Sequence, residues 1–312
     1  MAILVDEKTR ILIQGITGRE GAAMAKDSVE YGAQIVAGVT PGKGGRQIHG
    51  VSVYDCVSHA VKEHGMDAAV IAVPPPFARD AALEALSCGI GLVVILTERI
   101  PRKDTVEIVS FAAQQGAHVI GPNSLGIISP GKTKVGMIGG PAQDVRKAYQ
   151  PGAVGIISRS GGMTTEIATL LTLNGIGQST CVSIGGDPIV GTHYLDLIPL
   201  FARDPATAVV VLFCEPGGGA EEALADRVAR EGLPVPIVAF VAGRFADRMP
   251  GTRFGHAAVM VEGKRGSTQG KIEAFRRAGL PVAEELTGIV PLVREALGRE
   301  KNSSGFRVHG SG

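Results

Sequence analysis

Short runs of β-branched and apolar residues alternate with amphipathic segments through the first 120 residues. The apolar runs predict buried strands at 10–14, 34–39, 68–73, 92–96 and 118–120. The segments between them have apolar residues at helical spacing and predict helices at 21–31, 53–64, 78–87 and 104–115. Because strands and helices alternate strictly with short loops, this half is predicted to be an α/β domain on a parallel sheet.

A passage rich in glycine and proline follows, from Gly121 to Pro141, and the alternation then resumes. Strands are predicted at 154–158, 178–183, 208–214 and 236–241, and helices at 163–173, 194–203, 221–231 and 268–278. The passage places a domain boundary within it. The prediction is therefore one α/β domain over residues 1–125, a second over 126–297, and a polar, disordered tail over 298–312.

Composition narrows the class of protein. Lysine and arginine total 31 and aspartate and glutamate 30, so no overall field attracts nucleic acid or a membrane. No apolar run is long enough for a transmembrane helix, and the N-terminus lacks the features of a signal peptide. The four cysteines form no C-x-x-C pair and the histidines lack metal-ligand spacing, so no metal site is predicted and a reducing cytoplasm is expected.

The first predicted strand runs into Gly15-Ile-Thr-Gly18-Arg-Glu-Gly21 and then a helix. A glycine turn entering a helix presents backbone N–H groups to a phosphate. The spacing differs from the dinucleotide fingerprint, and Lys43 and Arg46 stand where NAD would need a carboxylate. This pattern favours a nucleotide that carries a ribose phosphate, such as CoA or NADP. The alternative is that the glycines only form tight turns.

A second strand, glycine turn and helix occur at Ser158-Arg-Ser160-Gly161-Gly162, which indicates another anion site. Further on, His256 lies beside a glycine in a basic loop. A neutral imidazole is a competent nucleophile if an acceptor fixes its tautomer, and Glu215 is a candidate for that acceptor. The alternative is a loop histidine without a role. The chain has no Walker loop, so a nucleotide that drives this chemistry must bind another polypeptide.

Taken together these motifs resemble the α subunit of succinate–CoA ligase and its relatives, including the corresponding part of ATP-citrate lyase. The resemblance runs over nearly the whole chain. Its motifs are Gln14-Gly-Ile-Thr-Gly18, Thr40-Pro-Gly-Lys-Gly-Gly45, Val73-Pro-Pro-Pro-Phe77, Thr97-Glu98, Gly121-Pro-Asn123, Ser158-Arg-Ser-Gly161, Ile184-Gly-Gly-Asp-Pro188 and Gly255-His256.

The resemblance implies a Rossmann-like CoA-binding domain followed by a flavodoxin-like ligase domain. It implies that CoA is contacted by Thr17, Gly18, Arg19, Glu20, Lys43, Leu96, Thr97 and Glu98. His256 would be the phosphorylated histidine, Glu215 its carboxylate partner, and Ser160, Gly161 and Gly162 the phosphate-binding turn. An ATP-grasp β subunit would bind ATP or GTP with Mg²⁺. The phosphoryl group would pass through His256 to a carboxylate, and the CoA thiol would attack the acyl phosphate.

The chain departs from the succinate-specific pattern near the predicted substrate site. Thr165 stands where those relatives have a tyrosine, and Ser124-Leu125 replaces Cys-Pro. The segment from Gly139 to Gly152 resembles the citrate-using branch. These departures favour citrate over malate or succinate as the acid. Two other classes stay open from the sequence: a non-catalytic regulator that binds CoA or NADP, and an NADP oxidoreductase.

Overall fold

A computed structural model describes residues 2–244 and 266–304. Within the described residues, the first half of the chain contains seven strands and four helices. They are β1 (Arg10–Gln14), α1 (Arg19–Tyr31), β2 (Gln34–Val39), β3 (Gln47–Ile48), β4 (Val51–Tyr54), α2 (Val57–His64), β5 (Ala68–Ile71), α3 (Pro75–Ser87), β6 (Leu92–Ile95), α4 (Arg102–Gln115) and β7 (His118–Ile120). The strands form one sheet in the order β3-β4-β2-β1-β5-β6-β7, in which all pairs are parallel except β3 with β4.

The second half forms another seven-stranded sheet. Its elements are β8 (Gly126–Ser129), β9 (Thr133–Val135), α5 (Ala142–Ala148), β10 (Pro151–Ser158), α6 (Gly161–Leu173), β11 (Gln178–Ser183), α7 (Tyr194–Arg203), β12 (Val209–Cys214), α8 (Ala220–Glu231), β13 (Ile237–Val241), α9 (Thr268–Arg277), β14 (Val282–Ala283) and α10 (Ile289–Ser304). The order is β14-β13-β12-β10-β11-β8-β9, with β8 and β9 antiparallel at one edge.

The predicted α/β class with parallel sheets is confirmed, and several boundaries are corrected. The helix predicted at 53–64 begins only at Val57, because Val51 and Val53 alternate with polar residues and form a strand. The helix predicted at 78–87 begins earlier, at Pro75, since a proline is tolerated in the first turn, where no intrahelical N–H bond is needed. The Gly/Pro-rich passage holds the two antiparallel strands, which were not predicted.

The end of the described chain also differs from the sequence prediction. Disorder was predicted from Gly298, whereas α10 continues to Ser304. Val290 and Val293 on this helix are buried, so its first turns are held by packing and the helix extends beyond them. We propose that the two domains divide between residues 125 and 126, since the first sheet ends at Ile120 and the second begins at Gly126.

The two halves are packed against each other at the end of α1. The Arg146 guanidinium lies over the Tyr31 ring, 5.0 Å from its centroid, and donates to the Tyr31 carbonyl oxygen at 3.2 Å. The Gly131 N–H donates to the Tyr31 hydroxyl at 3.0 Å. Nearby, burial lowers the pKa of the Lys134 ammonium to about 8, although the negative charge of Asp27 acts to raise that pKa. One hydrophobic cluster includes side chains from both sheets, so the halves share a core.

Among the helices of residues 2–244 and 266–304, none is both long enough and apolar enough to cross a lipid bilayer.

Candidate functional site

A cavity of about 730 Å³ lies at the carboxyl ends of β1, β2 and β5. One side of it is apolar, with Val39, Pro41 and Val73 in its wall and the Phe77 ring 63% exposed at its edge. The carboxyl ends of parallel strands are where α/β sheets bind ligands. The lining of this cavity therefore suits a ligand with an apolar part.

The glycine loop after β1 forms the floor of this cavity. Gly15 has φ +85°, and a Cβ there would lie 2.3 Å from the Ala72 carbonyl oxygen. Only glycine fits such a position. Gly18 is the N-cap of α1 and provides no side-chain hydrogen bond, so the positive end of the helix dipole is open to a bound anion. The Thr17 hydroxyl donates to the Thr40 hydroxyl at 3.2 Å and joins the loops after β1 and β2.

The predicted CoA-contacting residues all lie at the carboxyl edge of the first sheet, but only Thr17 and Gly18 line the cavity. Arg19 and Glu20 are exposed in the first turn of α1, and Lys43 is half-buried in the loop after β2. Leu96, Thr97 and Glu98 follow β6. The Thr97 hydroxyl donates to the Val73 carbonyl oxygen at 2.7 Å, while Glu98 is exposed with its carboxylate 3.4 Å from Arg99.

Sequence reasoning missed a polar wall of the cavity on α3. Asp80 and Glu84 lie there, beside Gln14 from the end of β1. The Glu84 carboxylate accepts from the Val57 N–H at 2.8 Å and from the Gln14 amide at 3.2 Å. The i, i+4, i+7 spacing of Phe77, Ala81 and Glu84 was the available signal, since such residues share one helix face.

The second predicted anion site is the N-terminus of α6. The Ser160 hydroxyl caps this helix by accepting from the Met163 N–H at 3.4 Å, and the Ser158 hydroxyl donates to the Ser160 carbonyl oxygen at 2.6 Å. A Cβ on Gly161 would lie 2.3 Å from Leu125 Cγ, so the helix begins in close contact with that side chain. Among the residues that the structure describes, none outside the start of α6 itself comes within 4 Å of a Cβ position on Gly162.

Thr165 lies one turn into α6 and has a protein partner. Its hydroxyl is 2.9 Å from the hydroxyl of Tyr149, whose side chain is buried. Burial raises the pKa of Tyr149, so its hydroxyl stays neutral and can donate or accept. Tyr149, from the segment before β10, therefore contacts Thr165, and Thr165 stands where the succinate-specific pattern has a tyrosine.

The third part of the site is the turn that follows β12. Glu215 is half-buried there, and the Gly217 N–H donates to the Gly266 carbonyl oxygen at 2.7 Å. The Gly266 N–H donates to the Glu222 carboxylate at 2.8 Å. Upstream, the Gly243 carbonyl oxygen accepts from the Thr268 hydroxyl at 3.2 Å. His256 lies outside the described residues, in the segment between Arg244 and Gly266.

A buried polar cluster lies beneath this turn. The Lys271 ammonium is fully buried, forms an ion pair with the Glu221 carboxylate and donates to the Gly217 carbonyl oxygen at 2.7 Å. The Tyr194 hydroxyl donates to the Phe213 carbonyl oxygen at 3.0 Å. Burial raises the pKa of both Tyr194 and Cys214, so both remain neutral. The cluster fixes the backbone of the turn that carries Glu215.

Comparison with known proteins agrees with this arrangement. Residues 6–99 match the family model of the CoA binding domain, and residues 157–280 match that of CoA-ligase. The chain is 46% identical to the α subunit of ADP-forming succinate–CoA ligase from Methanothermobacter thermautotrophicus, over 95% of this chain and 97% of that protein. It is 39% identical to a subunit of ADP-forming sulfoacetate-CoA ligase from Bilophila wadsworthia, over 96% of this chain and 100% of that protein.

The fold is also that of a solved structure of ATP citrate lyase from Methanothrix soehngenii in complex with citrate and coenzyme A. The TM-score is 0.90 at 24% identity, over 99% of this chain and 53% of the lyase chain, so this chain spans about half of it. The fold and the two matched regions define a CoA ligase subunit with its own CoA-binding domain. The chain belongs to the family of succinate–CoA ligase α subunits.

Replacing Gly15 with alanine is expected to weaken CoA binding by about tenfold. The added Cβ would meet the Ala72 carbonyl oxygen, so the turn that lines the cavity would have to shift. Overpacking of this kind costs about 1–3 kcal/mol, and a loss of 1.4 kcal/mol in binding free energy is a tenfold loss of affinity. Titration calorimetry with CoA measures the effect. Gly89→Ala is the matched control, because Gly89 also has positive φ but open space around it. Equal affinities in both variants would contradict the role of the Gly15 turn.

Proposed function

We propose that this chain is the α subunit of a carboxylate–CoA ligase that releases ADP or GDP and acts only with a β subunit. The β subunit, with an ATP-grasp fold, would hold ATP or GTP and Mg²⁺. What supports the proposal is that one chain of this family combines a cavity at the carboxyl edge of the first sheet, a serine-capped helix start at Ser160 and a turn after Glu215 that is hydrogen-bonded to Gly266. Family membership favours this reading over a regulator or an NADP oxidoreductase.

The proposed chemistry has three transfers. The His256 imidazole attacks the terminal phosphorus of the nucleotide and releases the diphosphate. A carboxylate oxygen of the acid then attacks the phosphohistidine, which gives an acyl phosphate and frees the imidazole. Finally the CoA thiol loses its proton and attacks the acyl carbon, and inorganic phosphate leaves. The two covalent intermediates divide one difficult reaction into steps that are each easier.

Each described part of the site has a role in this sequence. Glu215 is proposed to accept from one imidazole N–H of His256, so that the other nitrogen is free to attack. Gly266, ten residues after His256 in the sequence, is hydrogen-bonded to the turn that follows Glu215, which supports this pairing. The start of α6, at Ser160, Gly161 and Gly162, is proposed to bind the phosphoryl group through backbone N–H groups and the helix dipole. CoA would bind at the carboxyl edge of the first sheet.

The acid is proposed to be a small di- or tricarboxylate, with citrate ahead of malate and succinate. Two compared relatives are named for succinate and for sulfoacetate, which are small acids with a second anionic group. The preference for citrate rests on Thr165, which is smaller than the tyrosine of succinate-specific relatives. Tyr149 restricts the gain in space, because its hydroxyl already contacts Thr165.

Co-expression with a β subunit of the family, followed by an assay of ADP release, tests the proposal. The pair is expected to release ADP only when CoA and a suitable acid are both present, and the chain alone is expected to form no acyl-CoA. A panel of citrate, malate, succinate and sulfoacetate identifies the acid. Acyl-CoA synthesis by the isolated chain would contradict the two-subunit proposal, and activity of the pair with none of these acids would contradict the substrate class.

A further inference from the structure

Three loops from both halves of the chain meet around Asn123. They follow β6, β7 and β11. The Asn123 N–H donates to the Thr97 carbonyl oxygen at 3.0 Å, and the Gly186 N–H donates to the Asn123 carbonyl oxygen at 3.1 Å. The Asn123 side-chain amide donates to the Asp187 carboxylate at 3.1 Å. Thr97 belongs to the loop proposed to contact CoA, so Asn123 connects that loop directly to the second domain.

The connection continues to the start of α6. The Arg159 guanidinium donates to the Asp187 carbonyl oxygen at 2.9 Å, and Arg159 directly precedes Ser160, which caps the helix. Hydrogen bonds therefore run from Thr97 through Asn123 and Asp187 to the residue before the phosphate-binding turn. Asp187 is 7% exposed, and hydrogen bonds shielded from water in this way are stronger than exposed ones.

The backbone around this pair leaves little freedom for another arrangement. A Cβ on Gly185 would lie 2.1 Å from the Pro122 carbonyl oxygen, and one on Gly121 would lie 2.4 Å from the Ile95 carbonyl oxygen. Backbone thus packs directly on backbone between the loops of the two halves. Asn123 itself has φ +54°, a conformation that asparagine and aspartate adopt more readily than other side chains.

We propose that Asn123 and Asp187 are a positioning pair that sets the distance between the CoA thiol and the acyl phosphate. This inference rests on the proposed function, in which the thiol is held by the first domain and the phosphoryl group at α6 of the second. Neither residue takes part in the chemistry. The pair acts on the one step that needs both domains in register, the attack of the thiol. Phosphorylation of His256 by the nucleotide precedes that step and does not use CoA.

The test compares two activities of the enzyme co-expressed with its β subunit. Exchange of label between ADP and ATP reports phosphorylation of the histidine alone, and acyl-CoA formation reports the complete reaction. Asn123→Asp keeps the backbone conformation but puts two carboxylates in contact. It is expected to lower kcat for acyl-CoA formation by about 100-fold, the usual effect of a 1 Å misplacement, while exchange stays at the wild-type rate. Asn123→Gly removes the amide without adding charge. It should show a smaller loss of acyl-CoA formation, again with exchange at the wild-type rate.

The reciprocal variant is the decisive control. Combining Asn123→Asp with Asp187→Asn restores one donor and one acceptor in reversed order, so acyl-CoA formation should recover most of its rate. Asp187→Asn alone keeps an acceptor oxygen for Asn123 and measures any other role of that carboxylate. Equal loss of exchange and synthesis in Asn123→Asp and Asn123→Gly would overturn the inference, and so would a double variant that forms acyl-CoA no faster than Asn123→Asp. A wild-type enzyme without exchange would instead refute the proposed function.

Discussion

Replacing His256 with asparagine is expected to abolish the phosphoryl transfer on which the proposed ligase depends. The amide side chain fills much of the same space but is not a nucleophile toward phosphorus. Loss of a covalent nucleophile removes the whole pathway, so ADP release in the presence of acid and CoA should fall by at least about 1000-fold. CoA binding should be unchanged, because the cavity lies on the first domain.

Two measurements check this expectation. When the chain is co-expressed with its β subunit, incubation with ATP labelled at the γ-phosphate should transfer label to the wild-type α subunit in an acid-labile, base-stable form, and the variant should take up none. Calorimetric titration should give the same affinity for CoA in both. His49→Asn is the matched control, since His49 is exposed in the turn between β3 and β4 and has positive φ, which asparagine tolerates. Label on the His256 variant would exclude His256 as the phosphorylated residue.

The second large effect is expected from Lys271→Met, which is predicted to lower the free energy of unfolding by about 3–5 kcal/mol. Methionine matches the length of lysine, so packing is largely kept. The Glu221 carboxylate, however, would stay buried without its cation, and the Gly217 carbonyl oxygen would lose a donor. Since that carbonyl belongs to the turn after Glu215, the variant should also lose label uptake at His256.

Urea denaturation of the purified chain measures the change in stability. Arg227→Met is the control, because Arg227 and Glu231 form an exposed ion pair on α8 and such pairs contribute about 0–1 kcal/mol. Adding Glu221→Leu to Lys271→Met should recover much of the lost stability, because the uncompensated charge is then removed. A loss below about 1 kcal/mol in the single variant would show that the buried pair is not what holds the turn.

The sequence predicts the central strands well, since their signal is local. Strands β1 and β2 match their predicted bounds because each is built around consecutive apolar residues, Ile11–Ile13 and Ile35–Ala37. The errors concern short elements whose partners are distant in sequence. Strands β8 and β9 have four and three residues and lie in a glycine-rich passage. Strand β8 pairs with β11 and β9 pairs with β8, and periodicity does not contain that information.

The candidate site divides in the same way. The turns at Gly15 and Gly161 are predicted from glycine followed by a helical pattern, because the constraint lies within a few residues. Glu84 and Asp187 gain their roles from residues far along the chain. Glu84 meets Gln14 only once α3 packs on the first sheet, and Asp187 meets Asn123 only once both domains are in place. Spacing places Glu84 on one helix face with Phe77 and Ala81, but the partners in such contacts depend on tertiary structure.

The hydrophobic cluster that contains side chains of both sheets affects how the protein unfolds and whether its halves can be separated. Ile120 and Ile127, on either side of the domain boundary, belong to this one cluster. A fragment cut at the boundary would carry a water-exposed apolar seam, so the two halves are expected to melt in a single cooperative transition. Hybrids that join the first half of one relative to the second half of another must therefore match side chains across that seam.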